Sequence, residues 1–296
     1  MLRRRAVTAL LAAPLAGLAG CAWVQDPDYD AADAPLPGAI DRPLRTAWVL
    51  SSGGPRGFAH VGVLKALDEL GLRPDLVVGA SIGALVGCLY ASGVGVAEIE
   101  KLALDFSMAS VVRPSLGGNG SAKISGAGLV SMINQLLDHR PLERLPLACA
   151  VVAMQQAGRQ IVAFTRGNAG VAVQASCAIE GTLAPVRIRG VPYVDPDLGT
   201  PMPVRVARAL GAQRILAVDV SAHENKAPAG SERFRAGDLR KRALTEPEAH
   251  LATLTLHPDF SYYVGLSQAF REQAIRAGYQ QTLARAAELS AAVGGG

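Results

Sequence analysis

Two glycine-rich turns carry the chemistry this chain could perform. Residues 76–83, LVVGASIG, set Gly79, Ser81 and Gly83 in a G-x-S-x-G pattern between an apolar run and a second apolar run, IGALVGCLYA. A serine on so tight a turn is lifted above the strand end with its hydroxyl free to attack, and the helix start behind it favours developing negative charge. The flanking positions must lack side chains, which Gly79 and Gly83 satisfy. The plainer reading is a glycine-rich turn whose Ser81 caps the following helix. Upstream, residues 51–57, SSGGPRG, follow the apolar run TAWVL and supply Gly53, Gly54, Arg56 and Gly57. Such a loop either wraps a ligand phosphate or aims backbone N–H groups at an oxyanion. The phosphate reading lacks G-x-x-x-x-G-K and a true G-x-G-x-x-G, and the second strand ends in VVGAS rather than in a ribose-binding acid. Pro55 has no N–H, so the donors of an oxyanion hole fall to its neighbours Gly53, Gly54, Arg56 and Gly57.

Both turns need elements that bring them together. TAWVL and PDLVVGAS read as buried strands. FAHVGVLKALDELG has Phe58, Val61, Leu64 and Leu67 at helical spacing and Gly71 as a stop, and IGALVGCLYASG is apolar nearly all round. This β-α-β-α order predicts a parallel sheet with helices on both faces, and its two strand ends open on one edge, so the glycine loop faces Ser81. Further along, LPLACAVVAM and RQIVAFTR flank QQAG as a strand pair, and AGVAVQASCAIEG reads as a helix. VRIRGVPYVD reads as a hairpin, PVRVARALGA as a helix and RILAVDVSA as a buried strand. Residues 223–250 are polar and mixed in charge, with Gly and Pro, and read as a surface loop or a partly disordered excursion. The chain closes with one or two amphipathic helices.

SGGPRGFAHVGVLKALDELGLRPDLVVGASIGALVGCLYASG closely resembles the patatin-like phospholipases, acyl hydrolases that use a Ser-Asp dyad. The resemblance implies a three-layer α/β/α sandwich with a mainly parallel central sheet and Ser81 as nucleophile. AVQASCAIEGTLAPVRIRGVPYVD resembles the block leading to the family's third motif, D-G-G/A. Here that motif is Asp195-Pro196-Asp197. Counting back from Pro201 and Pro203 sets Asp195 on the dyad aspartate and Asp197 in the place of the second glycine. Asp195 is then the expected base and Asp197 its alternative. Pro196 pushes Asp195 toward an extended backbone. Ser52 stands where many relatives carry an additional glycine. The implied function is a lipid acyl hydrolase, phospholipase A or lysophospholipase-like. It would work through an acyl-enzyme on membrane lipid or another acyl ester, without metal or organic cofactor. The alternative is a non-catalytic envelope lipoprotein that binds lipid or a partner, for which the altered third motif speaks. A Ser-His-Asp triad would draw on His223, His250 or His257, but Ser81 follows only the second strand, too early for that fold. Arg56 either sits near an oxyanion or substrate phosphate, or braces the loop by pairing with a carboxylate. His60 reads as a helix-face histidine.

The N-terminus has its own pattern. MLRRRAVTALLAAPLAGLAG has three Arg, an apolar run and small residues, a secretory signal over residues 1–20. It ends in LAGC, which resembles the bacterial lipobox and implies lipidation at Cys21. Neither Ala22 nor Trp23 is Asp, which points to the outer membrane of a bacterial envelope. Residues 21–44, rich in Pro and Asp, read as a lipidated tether, and residues 45–296 as the hydrolase domain. Within the tether DPDYD begins like a calcium loop, but Ala31 stands at the turn position that needs Gly. The 296 residues carry 29 basic and 25 acidic side chains; without Arg3, Arg4 and Arg5 the basic count falls to 26. No basic cluster of the density nucleic acid requires is present. Beyond Cys21, the remaining Cys88, Cys149 and Cys177 are an odd set in apolar surroundings and read as core residues, not as a disulfide framework.

Overall fold

A computed structural model describes residues 28–114 and 124–294. The expected signal segment, residues 1–20, and the expected lipidation site Cys21 lie outside the described residues. In the strand TAWVL, β2 (Thr46–Leu50), every residue is buried, because alternate side chains feed cores on opposite faces of a sheet. Trp48 and Leu50 join one core, and Ala47 and Val49 join the other. The same holds for β3 (Leu76–Ala80), where Val77 faces one side and Leu76 and Val78 the other. Two apolar faces demand two covering layers, and the chain is an α/β/α sandwich.

Strand β1 (Asp28–Tyr29) precedes these two, and a small ribbon, β4 (Arg113–Pro114) with β5 (Ile124–Ser125), follows them. The remaining strands are β6 (Ala148–Gln155), β7 (Ile161–Phe164), β8 (Val186–Ile188), β9 (Val191–Val194), β10 (Arg214–Val218) and β11 (Leu254–Leu256). Among the described residues the main sheet runs β1-β8-β9-β6-β3-β2-β10-β11, with β7 also paired to β6. Its centre, β6-β3-β2-β10-β11, is parallel throughout. The pairs β6–β7, β6–β9 and β8–β9 are antiparallel. The strand pair, the hairpin and the buried strand expected from the sequence are therefore present.

The helices are α1 (Phe58–Glu69), α2 (Ile82–Ala91), α3 (Val96–Asp105), α4 (Met108–Val111), α5 (Ala127–Leu136), α6 (Ala169–Ser176), α7 (Val204–Ala209), α8 (Glu232–Ala249), α9 (Gln268–Leu283) and α10 (Ala286–Val293). Helix α2, apolar on nearly every side, is almost wholly buried.

Two segments differ from their sequence reading. The part of the tether that is described, residues 28–44, lies against the domain. Asp28–Tyr29 pairs in parallel with β8, Leu36 bridges to Arg166, and Ala34 is buried. Backbone pairing of this kind asks little of side chains, so a Pro- and Asp-rich composition hides it. Most of residues 223–250, Glu232–Ala249, forms the 18-residue helix α8 rather than a surface loop. Its residues Thr245 and Glu248 are buried, and Glu248 accepts hydrogen bonds from the N–H and Nη1 of Arg205.

Candidate active site

The elbow at Ser81 is built by close packing. A Cβ on Gly79 would stand 2.4 Å from the Ala84 Cα, and one on Gly83 would stand 2.2 Å from the Leu50 carbonyl oxygen. Both positions therefore require glycine on steric grounds. Ser81 itself has φ 54° and ψ −124°, a conformation that costs a non-glycine residue about 1–3 kcal/mol. Two contacts hold it there. Its N–H donates to the Ser176 hydroxyl at 2.8 Å, which in turn donates to the Val152 carbonyl at 2.5 Å. Its carbonyl accepts from the N–H groups of Ala84 and Leu85, opening α2. Ser81 makes no side-chain cap, so the capping alternative is not realised.

The Ser81 hydroxyl donates instead to Asp195 Oδ2 at 2.5 Å. The two residues lie 114 positions apart in sequence and meet at the edge where β3 and β9 end. Asp195 is extended, φ −56° and ψ 131°, and Pro196 begins a short 3-10 turn after it. Asp195 Oδ1 accepts from the Asp197 N–H at 2.9 Å, and the Asp195 N–H is tied to the Ala178 carbonyl. Burial pushes the Asp195 carboxyl up to about 7, against the pull of the Ser81 hydrogen bond. A carboxyl so placed exchanges a proton near neutral pH, as a general base requires. Asp197 turns away from Ser81 to Ser52 and Lys241, whose Nζ is 2.7 Å from its Oδ1. Burial opposes its ionisation, but Lys241 and Ser52 hold it below the usual carboxylate range.

The glycine loop divides between two tasks. Gly54 and Gly57 line the same cavity as Ser81. Gly57 approaches the nucleophile helix so closely that a Cβ would stand 2.4 Å from the Ile82 side chain. Gly54 has φ +52°, and its N–H has no partner among the described residues. Gly53 and Arg56 do not line the cavity. Gly53 packs on Val220, where a Cβ would meet Cγ2 at 2.6 Å. The Arg56 N–H is spent on the Gly53 carbonyl at 3.1 Å, which corrects its expected place among the oxyanion donors. Its guanidinium is buried, donates to the carbonyls of Val220 and Ser261 at 2.8 and 2.9 Å, and lies 4.2 Å from the Phe260 ring centroid. Desolvation lowers its affinity for a proton, with Asp219 the largest opposing influence. Arg56 thus braces the loop, through carbonyl oxygens rather than a carboxylate.

No histidine belongs to this group. His60 is fully buried in α1, its Nε2 is 2.9 Å from the Ser51 carbonyl, and burial lowers it to about 4, so the ring is neutral and supports the loop. His223 and His257 stack on each other at 3.8 Å, and His257 Nε2 lies 3.0 Å from the Ser221 carbonyl. His250 closes the C-terminal end of α8. Sequence reasoning missed Ser176, Lys241 and the placement of Cys177. Nothing in the helix AGVAVQAS marks its last residue as the partner of the elbow. Cys177 lines the cavity beside Ser81; burial, with Asp195 adding to it, raises its thiol well above the ordinary range, so it is neutral.

Ser81 opens on a cavity of about 510 Å³ walled by α2, α3, α4 and α5. Its sides are apolar, among them Leu85, Leu89, Ile99, Phe106, Leu129 and Leu136. Helices α3 and α5, which sequence periodicity left unread, exist largely to form this wall.

Fold and site together place a Ser–Asp pair at the edge of an α/β/α sandwich, facing an apolar cavity. Residues 48–208 match the family model described as patatin-like phospholipase, and the chain belongs to that family. An uncharacterized NTE family protein of Mycobacterium tuberculosis is 30% identical over 183 residues, 61% of this chain and 50% of that protein. Patatin-like phospholipase domain-containing protein 6 of Homo sapiens is 31% identical over 184 residues, 60% of this chain and 13% of that protein. The chain therefore spans half or less of the length of these relatives. Among solved structures, VipD from Legionella pneumophila aligns with 89% of this chain and 71% of its own at TM-score 0.49 and 12% identity.

Proposed function

We propose that this chain is a lipid acyl hydrolase in which Ser81 is the nucleophile and Asp195 the base. The observation that carries the reading is the 2.5 Å Ser81–Asp195 hydrogen bond at the mouth of an apolar cavity. A fatty acyl chain fits such walls, since each methylene moved from water contributes about 0.8 kcal/mol. With the chain seated, Ser81 Oγ attacks the ester carbonyl carbon while its proton passes to Asp195 Oδ2. The oxyanion that forms lies near the Gly54 N–H and the first turn of α2, whose dipole favours it. Collapse expels the alcohol, which takes the proton back from Asp195, and leaves an acyl-Ser81 ester. Water then gives its proton to Asp195 and its oxygen to the acyl carbon. The fatty acid leaves as the proton returns to Ser81. No step requires histidine.

We further infer from LAGC that Cys21 is lipidated and tethers the domain to a bacterial envelope membrane. Among the described residues no helix is long and apolar enough to cross one. The test of the hydrolase reading is a panel of phospholipids, lysophospholipids and short esters offered to residues 22–296. Ser81→Ala should abolish both hydrolysis and labelling by a fluorophosphonate probe. Full turnover in that variant would overturn the assignment, and no turnover by the wild type on any ester would leave a lipid-binding protein in its place.

A further inference from the structure

The two places where this chain departs from the glycine pattern of its family touch each other. The Ser52 hydroxyl, on the glycine loop, donates to Asp197 Oδ1, on the dyad loop. Lys241, from α8, completes the contact: its Nζ donates to the same carboxylate oxygen at 2.7 Å and to the Ser52 carbonyl at 3.1 Å. Asp197 in turn gives its N–H to Asp195. A line of hydrogen bonds thus runs from α8 to Asp195 Oδ1, the partner of the oxygen that Ser81 faces. The same face of α8 makes a second connection. Phe234, Asp238, Lys241, Thr245 and Glu248 recur at spacings that share one helix face. Asp238 accepts from the Tyr262 hydroxyl, and the Ser261 carbonyl beside Tyr262 is one of those that receive the buried Arg56 guanidinium. The helix therefore reaches the glycine loop by two routes.

We propose that α8 is a strap that positions the active site, with Lys241 as its positioning residue, holding Asp197 and Ser52, and through them the dyad loop and the glycine loop, in register. The inference rests on the Ser81–Asp195 reading above. Electrostatics gives Lys241 a second effect. The charged and titratable groups around Asp195 are Asp197 on its own loop, Lys241 from α8 and the neutral Cys177 thiol after α6, with Asp219 beyond β10 acting on Asp197. The negative charge of Asp197 opposes ionisation of Asp195, and Lys241 offsets it. Without Lys241 an uncompensated carboxylate would stand two residues from the base.

The test is a pH–rate profile on a soluble short-chain ester for wild type, Lys241→Arg, Lys241→Met and the double variant Asp197→Asn/Lys241→Met, with Ser81→Ala as the control for the dyad itself. Removing the ammonium should move the acid limb of kcat/KM upward by about one pH unit, a loss of roughly tenfold on that limb, with KM little changed. Lys241→Arg should retain most of the activity. The double variant should bring the limb back, because it removes the charge that Lys241 was neutralising. A purely structural Lys241 would lower thermal stability and leave the limb where it was. The same displacement should appear without turnover, in the pH dependence of urea unfolding, so the inference is tested even if the dyad reading fails. A Lys241→Met protein whose limb and unfolding profile match wild type overturns it, as does a double variant displaced as far as the single one.

Discussion

Replacing Asp195 by Asn should kill the enzyme and stabilise the protein. The residue is 5% exposed, and burial moves its carboxyl from the ordinary 3.8 to about 7. Asn keeps its contacts: Oδ1 can still accept from the Asp197 N–H, and an amide N–H can donate to the Ser81 oxygen where the hydroxyl had donated to Oδ2. What is lost is the negative charge. A folded-state pKa raised above its unfolded value means that stability is fully present below about 3.8 and is lost as pH rises toward about 7. At about 1.4 kcal/mol per pH unit, the full penalty is on the order of 4 kcal/mol, reached above neutrality. Between about pH 5 and about pH 8 the wild type should lose roughly 3 kcal/mol that Asp195→Asn does not lose. For a domain of this size that is on the order of 5–10 °C in Tm. Urea unfolding of both proteins at the two pH values measures it, beside hydrolysis of a soluble ester. The variant should be at least ~100-fold slower, the usual range for a positioned base. Two parallel stability profiles would refute the burial argument. Undiminished turnover in the variant would refute the dyad.

Other outcomes follow from the same geometry. Ser176→Ala strands the Ser81 N–H and the Val152 carbonyl in the core, which should cost about 1–3 kcal/mol for each unpaired group and lower kcat more than it changes KM; unchanged unfolding midpoints would refute this. Ser81→Gly and Ser81→Ala are both expected to be inactive, but the glycine should be the more stable, since alanine must hold a φ of 54°. His223→Ala, His250→Ala and His257→Ala should each keep most of the wild-type turnover, and a dead variant among them would point to a triad. Cys21→Ser should move the protein from the membrane to the soluble envelope fraction, which fractionation and mass spectrometry of the N-terminus would show; an unacylated wild-type N-terminus ends the tether reading.

What could be read in advance followed the apolar runs. TAWVL and LVVGA are buried on both faces, so their composition alone announces strands of a covered parallel sheet, and a glycine-rich turn at the end of each is visible by contrast. Asp195 was legible only through resemblance, because a lone Asp-Pro-Asp after a hairpin has no pattern of its own. Helix α8 was not legible because the face it turns inward is mostly polar. Asp238, Lys241 and Glu248 bury or half-bury charges that meet partners from a loop, a 3-10 turn and helix α7, and a hydrophobic period does not register them. Residues 28–44 escaped notice because their contacts are largely made by backbone.

The positions that sequence reasoning misjudged share one physical property: their partners are carbonyls, hydroxyls or charges far along the chain. Arg56 is an example. Its type suggested a ligand or a carboxylate, yet it finds carbonyls 164 and 205 residues away. A guanidinium offers five donors in a rigid fork, so it can fasten several loops that present only carbonyl oxygens. Lysine could not replace it there without leaving carbonyls unpaired, whereas at Lys241 a single point charge is what Asp197 needs. The difference between the two cations follows from what each must hold. Arg56 holds a loop conformation, and in the proposed mechanism Lys241 holds a charge balance that sets when Asp195 can accept a proton. A substitution that preserves charge at both sites should therefore be tolerated at Lys241 and not at Arg56.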